Sequence, residues 1–314
     1  MAVQIAPAAN RIFQEFNTEL IRTFTDTPRV WPEFAMEIPS SSRSTLHAWL
    51  SDEAVVREWK GGRMLNDMGT LTWEVINRLW EISWKFTEHQ IRDDLSGLVA
   101  LAIQRARTYG AKWARHEDSL CATTTQAGVS KACYDGQYFF SAAHPVDPLG
   151  LTSGTFSNYN TATPLTAANL VAQLQTLRTF KLPDGSPWVG PGSEIKLIVE
   201  ASKWEIAMQL VSLEWLTTAA YGIVNAAGPA MNILKGSCKP VLNQWMNNEA
   251  GVWYLSADVD GMQPIMFQRR QGVETQELGP GSQIYFDRKE YNIGQDARYE
   301  ASYTHPQLMI RNEP

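Results

Sequence analysis

Cysteine is scarce in this chain, and the few cysteines present do not form a recognisable framework. Cys121, Cys133 and Cys238 are the three cysteines in 314 residues, and none forms a Cys-x-x-Cys pair. An odd number at irregular spacing argues against disulfide scaffolding and favours a reducing compartment. The N-terminus lacks the basic region and apolar core of a signal peptide, and no apolar stretch approaches the ~20 residues of a membrane span. We therefore expect a soluble protein, intracellular when made, without a membrane partner.

Clusters of one charge sign are also missing. Lys and Arg number 27 against 33 Asp and Glu, which gives a formal net charge of −6. No basic cluster with interleaved aromatic residues indicates a nucleic-acid groove, and tight sequence-independent DNA binding needs many Lys and Arg contacts to phosphates. This composition excludes a strongly DNA-binding protein but is compatible with one that encloses DNA without gripping it.

The chain contains no established catalytic or metal-binding motif. Its five histidines are scattered, and the glycine-rich segments at 190–193 and 279–282 contain a proline and lack the Gly-Lys-Ser/Thr of a phosphate loop. One catalytic alternative stays open, because Cys133 is followed closely by Asp135 and His144, the residue types of a Cys-dependent hydrolase. Such closeness arises readily by chance, so we expect no enzyme activity, no cofactor and no metal site.

Periodicity predicts an α+β fold. Apolar residues recur at helical spacing in residues 10–24, 95–119 and 166–180, and residues 195–199 have the composition of a buried strand. Trp80, Ile82, Trp84 and Phe86 alternate with polar residues, which predicts a strand with one aromatic face. Helices and strands are mixed without a βαβ repeat. The helix at 10–24 is either packed on its own core or an arm docked on a neighbouring molecule.

Three local signals predict the C-terminal half in more detail. Ser202 and Glu205 have the spacing of a capping box, followed by a helical face that extends to Trp215. Asp260-Gly261 predicts a hairpin turn between strands at 252–255 and 265–267. Residues 284–309 are expected to form further strands.

One segment resembles a known protein family closely. Cys133-Tyr134-Asp135-Gly136-Gln137, then Phe139-Phe140 and His144-Pro145, resembles the corresponding motif of the Mu-like phage major head subunit family. Ser41–Ser44, Ala48-Trp49-Leu50, Glu58-Trp59 and Ile91–Asp94 resemble other family positions in the same order, with Ala48 where the family has Gly. The resemblance extends over about residues 10–300, although only these patches are specific.

The resemblance implies the Hong Kong 97-type capsid fold. On that template residues 1–40 form an N-terminal arm and residues 41–92 an extended loop, a long β-hairpin. A peripheral domain at 93–159 contains a long spine helix, an axial domain occupies 160–261, and the C-terminal strands of the peripheral domain occupy 262–314.

The implied function is that of a major capsid protein in the virion, assembled in the cytoplasm of a host bacterium. Its partners would be itself, in hexamers and pentamers, together with scaffold and portal proteins and the enclosed double-stranded DNA. The aromatic residues expected to contact neighbouring subunits are Trp49, Trp59, Trp80, Trp84 and Phe86. Packing of the same rings within one subunit remains the alternative. A tail or connector component is the alternative structural role, and the Cys133/His144 hydrolase is the catalytic alternative.

Overall fold

The computed structural model describes residues 5–50, 70–93, 95–149, 153–182, 185–217, 229–246 and 250–314. Its helices are α1 (Ile5–Asp26), α2 (Glu88–Asp93), α3 (Leu95–Ala127), α4 (Ala167–Thr179), α5 (Trp204–Ser212) and α6 (Gln283–Arg288). At 1.5 Å per residue, the 33 residues of α3 span about 50 Å. The three helices expected from periodicity are present, and α3 continues eight residues beyond its predicted end.

The described strands form two main sheets and three short ribbons. The strands are β1 (Ala35–Pro39), β2 (Ser44–Leu50), β3 (Thr70–Ile76), β4 (Arg78–Thr87), β5 (His144–Pro145), β6 (Thr155–Phe156), β7 (Tyr159–Asn160), β8 (Glu194–Val199), β9 (Trp215–Thr217), β10 (Pro229–Met231), β11 (Lys239–Leu242), β12 (Trp253–Asp258), β13 (Ile265–Leu278), β14 (Glu290–Tyr303) and β15 (Met309–Asn312). The sheet orders are β1-β13-β14-β4 and β11-β8-β12-β15-β7, and β2-β3, β5-β6 and β9-β10 form the ribbons.

Helices α1 and α3 cover one face of the four-stranded sheet. The aromatic side of β4 points into this layer, where Trp84 stacks on Phe16 of α1 with 5.6 Å between ring centroids. Gly110 lies where the two helices touch, because a Cβ there would be 2.7 Å from the backbone oxygen of Leu20. Helix α1 therefore packs on its own subunit, which is the first of the two alternatives predicted for it.

A buried ion-pair network joins the end of this layer to the sheet. Glu117 of α3 is fully buried, and its Oε2 lies 2.9 Å from Arg29 Nε in an ion pair. Its Oε1 accepts from Arg269 of β13 at 2.8 Å. The neighbouring Asp118 accepts the backbone N–H of Trp31 at 2.8 Å. These contacts fix the segment after α1 against the spine of the molecule, because a buried carboxylate is stable only when its oxygens are paired.

The five-stranded sheet lies between two apolar layers. On one side α4 and α5 pack against its strands, with Leu170, Leu174, Leu197 and Leu255 among the buried residues. On the other side Tyr254 and Met309 join the core that contains the end of α3. Thr166 caps α4 by accepting the backbone N–H of Asn169 at 3.2 Å.

The β2-β3 ribbon crosses the other face of the four-stranded sheet and makes polar contacts there. His47 Nε2 lies 2.7 Å from Gln268 Oε1, and Trp73 Nε1 donates to Ser302 Oγ at 3.0 Å. The ribbon forms the base of the predicted extended loop, and residues 51–69 of that loop lie outside the described residues.

Three expectations for the C-terminal half are wrong in whole or in part, and one of them is that residues 284–309 form strands, because that stretch begins with α6 and only then forms β14. Residues 201–203 form a 3-10 turn and the Ser202 hydroxyl donates to Glu200, so α5 begins without the predicted capping box and Trp215 lies in β9. The tight turn at Asp260-Gly261 is present, with positive φ at both residues. The strands it joins do not pair with each other, because β12 pairs with β8 and β15 whereas β13 pairs with β1 and β14.

The predicted domain boundaries do not coincide with the sheets. The last strand, β15, pairs with β12 and so joins the sheet formed by residues of the predicted axial segment. At the other end of the chain, β1 of the predicted arm pairs in parallel with β13. The five-part division stays a prediction.

Candidate functional site

The family-like segment forms a folded loop directly after α3. Cys133 N–H donates to the Gln137 carbonyl at 2.9 Å, and Gly136 takes φ +79° in the turn between them. Phe139 N–H donates to the Lys131 carbonyl at 2.9 Å and so closes the base of the loop. The Asp-Gly sequence favours this geometry, because glycine adopts positive φ without steric cost.

Inside the loop, the side chain of Asp135 is the acceptor for two others. The Cys133 thiol donates to Asp135 Oδ1 at 2.9 Å, and His144 Nδ1 lies 2.6 Å from Asp135 Oδ2. The other imidazole nitrogen, Nε2, lies 3.2 Å from the Phe139 carbonyl oxygen. Cys133 and His144 are at most 1% exposed, and the Asp135 side chain is 1% exposed. The three side chains therefore form one hydrogen-bonded cluster closed to solvent.

The order of contacts in this cluster does not suit a cysteine nucleophile. Nucleophilic catalysis needs a base that takes the thiol proton, with a third group orienting that base. Here Asp135 accepts from both Cys133 and His144. Burial raises the pKa of the Cys133 thiol, and the nearby Asp135 charge raises it further. The thiolate is the reactive form of cysteine, and a raised pKa keeps Cys133 a thiol. This pKa shift and the order of contacts both argue against the hydrolase alternative.

The carboxylate at the centre of the cluster is held in its charged form. Burial by itself would raise the pKa of Asp135, but hydrogen bonds from His144 and Cys133 outweigh it and lower that pKa below its ordinary value. Thiol, carboxylate and imidazole atoms all lie within 4.8 Å of one another, and each is a potential metal ligand. Their 2.6 and 2.9 Å contacts are hydrogen-bond distances, shorter than the separation of two ligands bound about 2.0–2.3 Å from one zinc ion.

The Phe-Phe pair of the motif connects the loop to both main sheets. Phe139 stacks on Tyr303 of β14 with 4.5 Å between centroids, and Phe140 lies 5.7 Å from Tyr254 of β12. Gly128 lies beside them, and a Cβ there would be 2.8 Å from the Phe140 ring. The motif therefore joins the end of the long helix to the two sheets.

Asn158 completes the cluster, and sequence reasoning did not identify it. Its Nδ2 donates to the carbonyls of Phe139 at 2.7 Å and Pro306 at 3.0 Å, and its Oδ1 accepts from Ser141 N–H at 2.9 Å. No local pattern marks this asparagine, because the partners that give it a role are brought close only by folding.

The other motif residues lie at the edge of the loop. Tyr134 packs edge-on against His305 at 5.9 Å. Pro145 pairs with Thr155 in the β5-β6 ribbon, and Gln137 is exposed.

The predicted subunit-contact residues are placed unequally. Phe86 is 2% exposed and stacks on Tyr291 at 5.1 Å, which favours packing within the subunit for this ring. Trp80 donates to the Tyr299 carbonyl at 3.1 Å, and both Trp80 and Trp84 are partly exposed. Trp49 lies in β2, and Trp59 falls outside the described residues. A contact role stays a prediction.

Each helix in the described part of the chain is too short or too polar to span a lipid bilayer.

Comparison with known proteins connects the loop to a family. The model of the family "Mu-like prophage major head subunit gpT" matches residues 9–183 and 229–314. The major capsid protein of Escherichia phage Mu is 31% identical over 137 residues, which cover 44% of this chain and 43% of that protein. The Mu-like prophage FluMu major head subunit of Haemophilus influenzae is 29% identical over 174 residues, covering 54% of this chain and 55% of that protein. The chain thus spans about half the length of these two relatives.

Solved structures share the fold. A chain of the bacteriophage JBD30 procapsid has a TM-score of 0.56 at 20% identity, covering 98% of this chain and 75% of that one. The mature capsid of bacteriophage PhiM1 has a TM-score of 0.56 at 11% identity, covering 91% of this chain and 87% of that one. The virus-like particle from Pyrococcus furiosus has a TM-score of 0.52 at 11% identity, covering 96% of this chain and 99% of that one. These likenesses confirm the predicted α+β fold of the Hong Kong 97 type.

The family model extends over most of the chain, including the whole buried loop at 133–145, and the fold is that of phage capsid subunits; the chain belongs to the Mu-like prophage major head subunit family.

Proposed function

We propose that this protein is the major capsid subunit of a Mu-like tailed phage, which self-assembles into an icosahedral head around double-stranded DNA. The observation that carries the proposal is membership of the major head subunit family across both halves of the chain. The protein acts as a structural component of the virion, without enzyme activity. Assembly takes place in the cytoplasm of the host bacterium, with scaffold and portal proteins as partners.

The physical basis of the function is repeated contact between identical subunits. One chain has to make similar contacts in rings of five and of six, so each contact joins two different surfaces and closes by rotation. Individual contacts can be modest, because each subunit engages several neighbours and linked contacts reinforce one another. The arm at 1–40, the extended loop at 41–92 and the peripheral and axial segments supply the surfaces in this scheme.

The net charge is compatible with this role. A shell that encloses densely packed DNA benefits from not binding it tightly, and a chain of formal charge −6 meets that condition.

Negative-stain electron microscopy tests the proposal. The protein is expressed alone and then together with the proposed scaffold protein of the same phage, and the particles are imaged. Closed polyhedral shells or flat hexagonal sheets are the expected result. Dispersed monomers in both preparations would contradict self-assembly, and isolated rings would favour the alternative of a tail or connector component.

The extended loop offers a more specific test. Trp59→Ala is expected to lower the yield of shells while the unassembled subunit keeps its unfolding temperature, because buried aromatic residues dominate contact energies. Loss of folding would instead place Trp59 in the core of its own subunit. Trp80→Ala, at a partly exposed position on the sheet, allows the same comparison for a residue with an identified internal hydrogen bond.

A further inference from the structure

Helix α3 exposes its cations and buries its carboxylates. Its exposed cationic residues are Arg105, Arg107, Lys112 and Arg115. Its two acidic residues, Glu117 and Asp118, are buried and serve the internal contacts described above. Because an α-helix turns about 100° per residue, Lys112 and Arg115 lie within about 80° of Arg105 around the helix axis. We call these three residues the basic stripe, which runs for about 15 Å along the helix.

The basic stripe has no carboxylate partner in the described part of the chain. None of its three side chains forms an ion pair with a residue of that part. Arg107, on another side of α3, differs, because it pairs with Glu19 of α1, which also binds Arg22 at 2.6 Å. Exposed cations that no carboxylate neutralises project their field into the solvent. The basic stripe is therefore a local positive surface on a chain whose formal charge is −6.

The face of the four-stranded sheet that points away from the helices has the opposite sign. Glu81, Asp296 and Glu274 are neighbours in the register of β4, β14 and β13. Strand alternation places Glu81 and Asp296 on the side opposite Trp80 and Ala297, which belong to the core beneath α3. The subunit is thus asymmetric in charge across this layer, with the basic stripe on one surface and a row of carboxylates on the other.

A partner for the basic stripe has to carry closely spaced negative charges along a line. A DNA duplex carries one phosphate charge per about 1.7 Å, which gives about nine charges over the about 15 Å of the stripe. Lys and Arg side chains contact phosphates without reading the bases. A protein partner would instead be anchored by aromatic or apolar side chains, whereas the exposed residue on the same side between Arg105 and Lys112 is Thr108.

We propose that the basic stripe lies on the inner wall of the shell and contacts the phosphates of the enclosed double-stranded DNA. The inference rests on the proposed function, since it names the surface of the subunit that meets the packaged genome. Three contacts per subunit are weak and salt-sensitive, so the wall holds the DNA loosely through many copies. The carboxylate row then lies on the side of the sheet away from the DNA.

Binding to a short duplex tests the contact directly. The unassembled subunit is titrated into a fluorescently labelled duplex of about 30 base pairs, and anisotropy is measured from about 25 to about 200 mM salt. The combined variant Arg105→Gln, Lys112→Gln and Arg115→Gln is expected to bind at least about tenfold more weakly at low salt. Each lost phosphate contact reduces the slope of log affinity against log salt by about 0.9, so this slope should fall by about 2–3.

The matched control removes three exposed cations outside α3. Arg43→Gln, Lys235→Gln and Arg288→Gln are combined, and these residues precede β2, follow β10 and end α6. The net charge changes by the same amount, so the affinity for DNA should stay within about threefold of that of the unaltered chain. Thermal unfolding of each unassembled variant is measured in parallel, and unchanged unfolding temperatures are expected.

Thiol labelling tests which way the basic stripe faces in the shell. Arg105→Cys introduces an exposed thiol, and the native cysteines Cys121, Cys133 and Cys238 are buried, so they add little background. In intact shells the new thiol is expected to react with N-ethylmaleimide, which is small enough to enter, and not with a maleimide on a long polyethylene glycol chain. In the unassembled subunit both reagents should react.

The binding assay overturns the inference if the unaltered subunit does not bind the duplex, or if both combined variants lose affinity equally. Loss of shell assembly in the variant of the basic stripe, with its affinity for DNA kept, would make the stripe a protein contact instead. In intact shells, reaction of the new thiol with the polymer reagent would place the stripe outside, and reaction with neither reagent would place it between subunits. In all these cases the unaltered chain still forms shells and the capsid function stands. If the unaltered chain forms no shell, the proposed function fails first.

Discussion

The buried Asp135 offers the most direct test of the role assigned to the family motif. Asp135→Ala removes the shared acceptor of Cys133 and His144 and leaves an imidazole nitrogen facing an apolar gap. Leaving a buried polar group without its hydrogen-bond partner costs about 1–3 kcal/mol, and the Asp135 side chain is 1% exposed. Because Cys133 and His144 both lose their partner, we expect a loss of about 2–4 kcal/mol in the free energy of unfolding of the subunit.

Asp135→Asn separates the charge from the hydrogen bonds. The amide oxygen can still accept from Cys133, and the amide nitrogen can donate to His144 Nδ1 while Nε2–H faces the Phe139 carbonyl. This variant should lose only about 1 kcal/mol, the size of one ordinary hydrogen bond. Asp26→Asn changes an exposed carboxylate in the same way and should stay within about 0.5 kcal/mol of the unaltered chain.

The charge also predicts an acid dependence. The pKa of Asp135 in the folded chain lies below its ordinary value because His144 and Cys133 donate to it, with burial opposing that effect. Its carboxylate therefore stabilises the fold above about pH 4, and this contribution is lost as the pH falls through the folded pKa. Urea unfolding of the unassembled subunit between pH 3 and 7 measures both effects. Equal stability of the Ala and Asn variants at pH 7, or an unchanged acid dependence in Asp135→Asn, would refute the reasoning.

Three further experiments test the packing around the long helix and the burial of the loop that follows it. Gly110→Ala should destabilise the subunit by about 1–3 kcal/mol in thermal unfolding, because its Cβ meets the backbone of Leu20; an unchanged unfolding temperature would contradict this contact. Glu117→Gln should lower the free energy of unfolding by about 3–5 kcal/mol, because this carboxylate is buried. Glu37→Gln, at the half-exposed end of the same network, should lower it by less than about 1 kcal/mol. Equal losses in the two variants would contradict the assigned role of burial. Cys133 should react with iodoacetamide slowly in the folded chain and quickly in urea, because burial raises the pKa of its thiol. Fast labelling of Cys133 in the folded chain would instead support the hydrolase alternative.

Local patterns predicted the elements whose environment repeats along the chain. The long helix and the aromatic strand β4 follow from apolar spacing, which acts between near neighbours. The motif at 133–145 was singled out by its resemblance to the family, and the hydrogen bonds that join Cys133 and His144 to Asp135 were not predicted. The role of Asn158 was not predictable from the sequence, since the carbonyls that it binds, those of Phe139 and Pro306, lie 19 and 148 positions away along the chain.

Strand pairing was where sequence reasoning failed. The Asp260-Gly261 turn was identified from local chemistry, yet the strands on either side separate into different sheets. Their partners are chosen by burial against distant segments, as β1 with β13 illustrates, and a turn signal contains no information about that competition. The capping box at Ser202 failed because its hydroxyl is taken up by Glu200.

The position of β15 has a consequence for how the protein is synthesised. Residues 309–312 form an inner strand of the five-stranded sheet, between β12 and β7. The sheet therefore cannot form completely until residue 312 has emerged from the ribosome. A nascent or prematurely terminated chain leaves the edges of both neighbouring strands open. Such a product lacks a finished scaffold for the segments packed on that sheet and is exposed to proteolysis. The five-stranded sheet thus reaches its folded arrangement only after β15 has been synthesised.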